Sequence, residues 1–314
     1  MIGFLIRRIL QAILVTFFVT VFTLALVHLF PGGPVRAMLG PRASQSQVAY
    51  FNHQYGFDRP FYVQYADWIW QLLQGNLGYS IKLNQTVTSE LRQYLPNTVV
   101  LVGLGTIVSL LFGIPLGVYQ AVRRYTVGDY VLTGVSFLGY ATPAFFVALL
   151  LVEWFSVDVH LFPASPSGNT FGALLANPRA LVLPVLAYAF LLYALWSRYM
   201  RSSVMDNLVQ DYVRTARAKG ASERRVLWGH VFRNSLISII TLLGLSLPTL
   251  VAGAIFIEVV FSWPGMGLAF YTAAQNVDYA TLLGFTLVAT VATIVGNLLA
   301  DVGYAVLDPR VRYS

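Results

Sequence analysis

Side chains that could ligate a metal or perform nucleophilic catalysis are sparse in this sequence. Four histidines (His28, His53, His160 and His230) lie too far apart for a local metal motif, and the absence of cysteine excludes disulfides and thiolate sites. Neither His-Glu-x-x-His nor Gly-x-Ser-x-Gly occurs, so the motif expected of a metal- or serine-dependent intramembrane enzyme is missing. No Gly-x-x-x-x-Gly-Lys-Ser/Thr run is present, so ATP would have to be handled by another chain. Polar chemistry concentrates in residues 198–233, which hold eight of the 20 Lys and Arg. There Asp211-Tyr-Val-Arg-Thr-Ala-Arg-Ala-Lys219 has helix-forming composition and meets Gly220, a natural helix stop. Ser222 is placed to cap a second helix running through His230 to Arg233. A helix, a glycine break and another helix fit two roles. One is a basic hairpin that only sets topology; the other is a rigid lever that receives a push from a soluble motor.

The elements that must hold this stretch are apolar. The 314 residues are 57% hydrophobic and 11% charged, against about 25% charged in soluble domains. Such a chain needs a large surface that avoids water, and lipid is the simplest environment for it. A span takes about 20 mainly apolar residues. Six stretches qualify: 9–30, 98–122, 130–155, 181–196, 236–259 and 282–306, the fourth being short and containing Pro184. Arg7 and Arg8 precede the first, but its apolar run is longer than a signal peptide's and lacks a small-residue cleavage site, so it reads as a retained helix. With the N-terminus inside, inner segments carry 14 of the 20 Lys and Arg and outer segments 6. This bias puts both termini in the cytoplasm and accounts for the net charge of +7 without a nucleic-acid partner.

The assigned spans carry no ionisable residue near their middles, which disfavours an ion-coupled carrier. Glu153 and Glu258 fall near outer ends, where ordinary solvation suffices. Asp301, within about a turn of the inner end of the last span, either braces an inner gate by pairing with an arginine or is an interfacial charge that helps stop the helix. Gly113 and Gly117 would let two helices approach closely. Pro115, Pro143, Pro184 and Pro248 each remove a backbone donor inside a span. In the outer segment 31–97, Phe61, Tyr65, Trp68, Ile69, Leu72 and Leu73 recur at helical spacing. That face suits a helix lying among lipid headgroups or a docking surface for an extracytoplasmic partner. The segment 156–180, rich in Pro, Ser, Gly and Asn, reads as loop.

The order of short motifs resembles one family throughout the chain. Tyr212-Val-Arg-Thr-Ala-Arg-Ala-Lys-Gly220, then Ser222, His230 and Arg233-Asn-Ser-Leu-Ile237, is similar to the coupling loop of binding-protein-dependent ABC importer permeases, in the B-type subunit of the dipeptide/oligopeptide/nickel branch. Arg214-Thr-Ala216 stands where the wider superfamily has Glu-Ala-Ala, and Leu236-Ile-Ser238 where the branch usually has Leu-Ile-Pro. Phe30-Pro-Gly-Gly-Pro34, Tyr55-Gly-Phe-Asp-Arg-Pro60, Gly75-Asn-Leu-Gly-Tyr-Ser80, Leu95-Pro-Asn-Thr98, Gly113-Ile-Pro-Leu-Gly117, Pro264-Gly-Met-Gly267, Asn297-Leu298 and Asp308-Pro-Arg-Val-Arg-Tyr313 resemble further family segments.

The resemblance implies an all-α membrane protein of about six transmembrane helices with the type I ABC importer fold. Residues 1–94 would hold the first helix and an extracytoplasmic segment, 95–306 the transmembrane core with a coupling loop at about 198–235, and 307–314 a cytoplasmic tail. It implies a multi-pass, non-catalytic permease subunit of the cell membrane. Its partners would be a second, C-type permease, two ABC ATPase subunits that use ATP and Mg, and an extracytoplasmic solute-binding protein; the chain itself would bind no cofactor. Tyr212, Arg214, Thr215, Ala216, Ala218, Lys219, Gly220, Ser222, His230 and Arg233 would form the ATPase-coupling surface. Peptides are the implied substrate, with nickel, glutathione and oligosaccharide as the branch's alternatives.

Overall fold

The computed structural model describes the backbone of residues 2–29, 32–40, 42–80, 82–252 and 254–307. Helices α1 (Ile2–His28), α2 (Gly33–Leu39), α3 (Gln45–Tyr55) and α4 (Phe61–Leu73) come first, followed by a short antiparallel ribbon, β1 (Tyr79–Ser80) and β2 (Gln85–Thr86). Then come α5 (Val87–Val122), α6 (Val127–Ala141), α7 (Ala144–Val152), α8 (Phe171–Ala176), α9 (Arg179–Leu208), α10 (Asp211–Ala218) and α11 (Glu223–Arg225). The chain closes with α12 (Phe232–Ala252), α13 (Ile255–Val260), α14 (Met266–Gln275) and α15 (Tyr279–Leu307). Two π-helical turns, Glu153–Asp158 and Val226–Val231, continue α7 and α11.

Among the described residues, four helical stretches are long and apolar enough to cross a bilayer: Val87–Val122, Arg179–Leu208, Glu223–Gly244 and Tyr279–Leu298. A fifth results if α6 and its successor count as one span, and Leu10–Leu26 within α1 is apolar but shorter. The all-α membrane architecture expected from composition is therefore present, with four or five of the expected six spans passing on length and composition among the described residues.

The departures from the expected boundaries have local causes. The third stretch is bent by 106°, because Pro143 has no N–H to donate and holds the preceding Thr142 in extended backbone. The fourth is not short: α9 runs 12 residues past Trp196, to Leu208. Along this extension Arg201 pairs with Asp129, and Met200 and Val204 are wholly buried. The fifth stretch is divided into α12 and α13. Glu258 is not a solvated end residue but completely buried in α13, which packs through Ile257 into an apolar core. The presumed loop 156–180 contains α8, capped by Thr170, whose hydroxyl accepts from the Ala173 N–H at 3.3 Å.

The chain divides into two compact units, residues 1–98 with 264–295 and residues 99–263 with 296–314. In the first, the half-buried face of α4 turns toward α1, where Tyr65 Oη lies 2.9 Å from Thr20 Oγ1 and its ring meets Phe17 edge-on. Tyr65 of the aromatic face read from the sequence thus makes an internal contact, and Phe61, Tyr62, Trp70 and Leu73 are the large apolar side chains of α4 left exposed. Two motifs quoted separately above come together here. Asn97 Nδ2 donates to the Pro264 carbonyl at 2.6 Å, and the Met266 N–H donates to Thr98 Oγ1 at 2.8 Å. Two buried carboxylates are also held in this unit: Glu90 accepts from the Thr281 hydroxyl at 3.1 Å, and Asp278 from that of Ser80.

In the second unit α5 and α9 meet at glycines. A Cβ on Gly113 would lie 2.7 Å from the Trp196 Cβ, and one on Gly117 would lie 2.5 Å from the Ser197 carbonyl oxygen. The close approach expected of these glycines is therefore made, and helix packing on small residues supplies it. Because the backbone of Ser197 cannot swing aside, Gly117→Ala is expected to lower stability by about 2 kcal/mol. Thermal unfolding of the chain in detergent would register this, whereas an unchanged midpoint would mean the two helices are free to separate.

Candidate functional site

The loop between α9 and α12 is built from the backbone outward. Asp211 in the first turn and Arg217 in the last complement the dipole of α10. The helix ends in a Schellman motif: the Gly220 N–H donates to the Arg217 carbonyl at 2.9 Å and the Ala221 N–H to the Ala216 carbonyl at 3.1 Å. This closure requires a left-handed residue, and Gly220 has φ +80°. Arg217 then spans the turn, its Nε 2.8 Å from Glu223 Oε1 and a terminal nitrogen 3.1 Å from Oε2. These bonds push the guanidinium pKa further up, and in so exposed a pair they orient more than they stabilise.

Ser222 sits at the N-cap of the next helix with extended backbone, but its side chain makes no capping bond. The expected cap is thus present in backbone only, the Ser222 carbonyl accepting from the Val226 N–H at 2.9 Å. Nor does the second helix stop near Arg233. It continues through the π turn Val226–Val231 into α12, so loop and span are one continuous rod.

Apolar anchors fix this hairpin to the helices above it. Val213 of α10 and Val226 and Val231 of the π turn are completely buried, in one cluster with Val118 and Ala121 of α5, Trp196, Met200 and Val204 of α9, and Ile239 of α12. A polar chain runs alongside. Tyr212 Oη donates to Asn207 Oδ1 at 2.7 Å, and Asn207 Nδ2 lies 3.3 Å from Ser235 Oγ. Ser203 donates to Ser238 Oγ at 3.1 Å, a bond that a proline in place of Ser238 could not accept. Tyr212→Phe should remove one such tie, costing about 1 kcal/mol; faster proteolysis at Lys219 would reveal it, and an unchanged cleavage rate would show the tie is idle.

Nearly all the residues expected at this site face outward. Tyr212, Arg214, Thr215, Ala218, Lys219, Gly220, Ser222, His230 and Arg233 are exposed and Ala216 is half-buried. Residues 212–222 share one hairpin, while His230 and Arg233 lie about two and three turns further along the outgoing rod. Sequence reasoning missed Val213, Val226, Val231 and the Arg217–Glu223 pair. The valines had a signal in their apolar character amid charge, but nothing local says which surface receives them. Asp301 lies on α15, and its side chain falls outside the described residues, as do the side chain of Pro248 and the tail 308–314. No group of three or more metal-ligating side chains occurs among the described residues.

A polar network crosses α5, α6 and α9 beside the hairpin. Ser197 Oγ donates to Gln120 Oε1 at 2.6 Å, and Gln120 Nε2 to Thr133 Oγ1 at 3.1 Å. Arg201 pairs at 2.9 Å with Asp129, whose side chain is 2% exposed and also accepts the Tyr125 N–H at 3.0 Å.

Comparison with known proteins gives two family matches that together cover most of the chain. The family described as "binding-protein-dependent transport system inner membrane component" matches residues 113–313, and its N-terminal companion matches residues 1–102. Over its full length and theirs, the chain is 39% identical to an oligopeptide transport system permease protein of Bacillus subtilis and 36% identical to a di/tripeptide transport system permease protein of Pseudomonas aeruginosa. It is 34% identical, again end to end, to a dipeptide transport system permease protein of Escherichia coli.

Proposed function

Because the chain belongs to the binding-protein-dependent transport system inner membrane components, and is thus a multi-pass protein of the cytoplasmic membrane, we propose that it is the non-catalytic permease subunit of an ATP-driven importer of di- or oligopeptides. The observation that carries this reading is the exposed hairpin at Gly220, whose buried face is fused to the ends of α5, α9 and α12. A push on Arg214, Thr215 or Lys219 is passed to three long helices through close-packed side chains rather than through a flexible linker.

The peptide class comes from the relatives' names. The partners follow from the family: a second permease, two ATPases below the hairpin and an extracytoplasmic binding protein. The excess of Lys and Arg in segments 198–233, 123–124 and the termini supports a cytoplasmic hairpin. Among the described residues, the four buried carboxylates lie near helix ends: Glu90 and Asp129 in the first turns of α5 and α6, Glu258 in short α13, and Asp278 just before α15. This distribution supports a driven permease over an ion-coupled carrier.

Proteoliposomes holding the chain with its co-purified subunits, binding protein and a labelled dipeptide test the proposal. Uptake should require ATP, and single-cysteine Lys219→Cys should react with an impermeant maleimide only from the cytoplasmic face; the native chain, having no cysteine, gives no background. Uptake that continues without ATP, or labelling of that cysteine from outside, sinks the reading.

A further inference from the structure

Three span-length helical stretches end around one cleft in the second unit. Val122 closes α5, Leu208 closes α9, and Glu223 opens the rod that becomes α12. Between them lies a cavity of about 500 Å³, within the roughly 300–1,000 Å³ of small-molecule sites. Its less exposed lining is apolar, from Met205 and Leu208 of α9 and Leu227 of the π turn. Val209 and Trp228, 67% and 48% exposed, stand at its mouth. The Trp228 ring is steadied by Phe232, the two centroids 5.0 Å apart. Three arginines and one glutamate complete the charge of the cleft. Glu223 is taken by Arg217, while neither Arg124 nor Arg224 has an ion-pair partner among the described residues. Arg124 rests only on the Tyr125 ring, 5.6 Å from its centre. Two uncompensated positive charges thus share a cleft with an apolar lining.

We propose that this cleft binds an anionic phospholipid, its phosphate taken by Arg124 and Arg224 and its acyl end laid along Met205, Leu208 and Leu227. The ligand must be both anionic and apolar. A soluble anion would leave the apolar lining wet, and a neutral lipid would leave both guanidinium groups without a counter-charge. Position selects the source. Spans end where headgroups lie, basic pockets between such helix ends bind anionic headgroups, and tryptophan settles at the same level. An acidic segment of an ATPase is the competing occupant. Arg214, Thr215 and Lys219, which would meet an ATPase at the hairpin, do not line the cleft. Lipid and motor would therefore use different side chains. The inference rests on the membrane placement of the chain and is independent of which solute it moves.

Native mass spectrometry of the full chain with its co-purified subunits tests the site, with lipid adducts read on the released chain. Phosphatidylglycerol should bind saturably, and phosphatidylcholine about tenfold or more weakly. Arg124→Gln with Arg224→Gln should bring phosphatidylglycerol down to the phosphatidylcholine level, a loss of about tenfold or more. Arg214→Gln with Lys219→Gln removes the same charge from the hairpin and should leave the affinity within about twofold, because neither residue lines the cleft. Val209→Glu sets a carboxylate at the exposed mouth and should weaken phosphatidylglycerol about fivefold. That variant decides alone if the double arginine variant is not recovered folded. Glycerol 3-phosphate, a soluble phosphate without acyl chains, should not compete. Equal binding of the two lipids, parental affinity in the cleft variants, an equal loss in the hairpin variant, or competition by glycerol 3-phosphate each overturns the site. Loss of the ATPases from the Arg124/Arg224 variant with its lipid binding intact would assign the cleft to a protein contact instead.

Discussion

Gly220→Val is expected to cut substrate-stimulated ATP hydrolysis by the assembled importer about tenfold or more, while the subunits still co-purify. Gly220 has φ +80°, and a Cβ built there meets nothing within 4 Å. The penalty is therefore purely conformational, about 1–2 kcal/mol for an ordinary L-residue in the left-handed region and higher for a β-branched one. That strain is relieved only by breaking the two bonds that close α10 onto the turn, Gly220 to Arg217 and Ala221 to Ala216. Once they open, α10 no longer presents Arg214, Thr215 and Lys219 as a fixed surface. Gly220→Asn, which tolerates φ > 0, should keep most of the stimulation. Full stimulation in the valine variant would show that the ATPases do not act through this hairpin. Loss in both variants would point to a requirement for empty space beside Gly220, a docking contact instead of a backbone one.

The second large effect is expected at Asp129. Asp129→Ala removes the acceptor of Arg201 and of the Tyr125 N–H and leaves a guanidinium uncompensated among α5, α6 and α9. Breaking one member of a buried pair typically costs about 3–5 kcal/mol, and because the Arg201 side chain is 28% exposed the lower end is expected. Arg201 Nε is already buried without a partner, so the network has little slack. The variant should lose monodispersity on size exclusion and unfold at markedly lower temperature. Asp129→Ala combined with Arg201→Met should recover most of the loss, since well-packed apolar replacements of an ion pair are often neutral. A single variant as stable as the parent would mean the pair is ornamental, and a double variant no better than the single would assign the loss to Tyr125 instead.

Both residues illustrate how unevenly this protein can be read from its residues. Gly220 was legible because a left-handed helix stop is a local requirement of one backbone position, and helix-forming residues ahead of it leave little choice. Asp129 was not legible, since its importance depends on Arg201, 72 positions away, and nothing near either residue announces the pairing. The same holds for Glu258, which sequence position placed near an outer end and the fold buries completely.

What the chain's residues determined by themselves was the solvent of the fold and the place of its exposed hairpin. A shortage of charge forces lipid contact, apolar run length forces helices, and the glycine forces the hairpin, all through short-range physics. Only the tertiary structure decided where helices end and which faces pair. The α9 helix continues past its arginines, one of which pairs with Asp129, Pro143 becomes a 106° bend rather than a kink, and Tyr65 of α4 turns toward α1 while Tyr62 and Trp70 stay outward. Burial and long-range pairing set these outcomes, and they are properties of several segments at once.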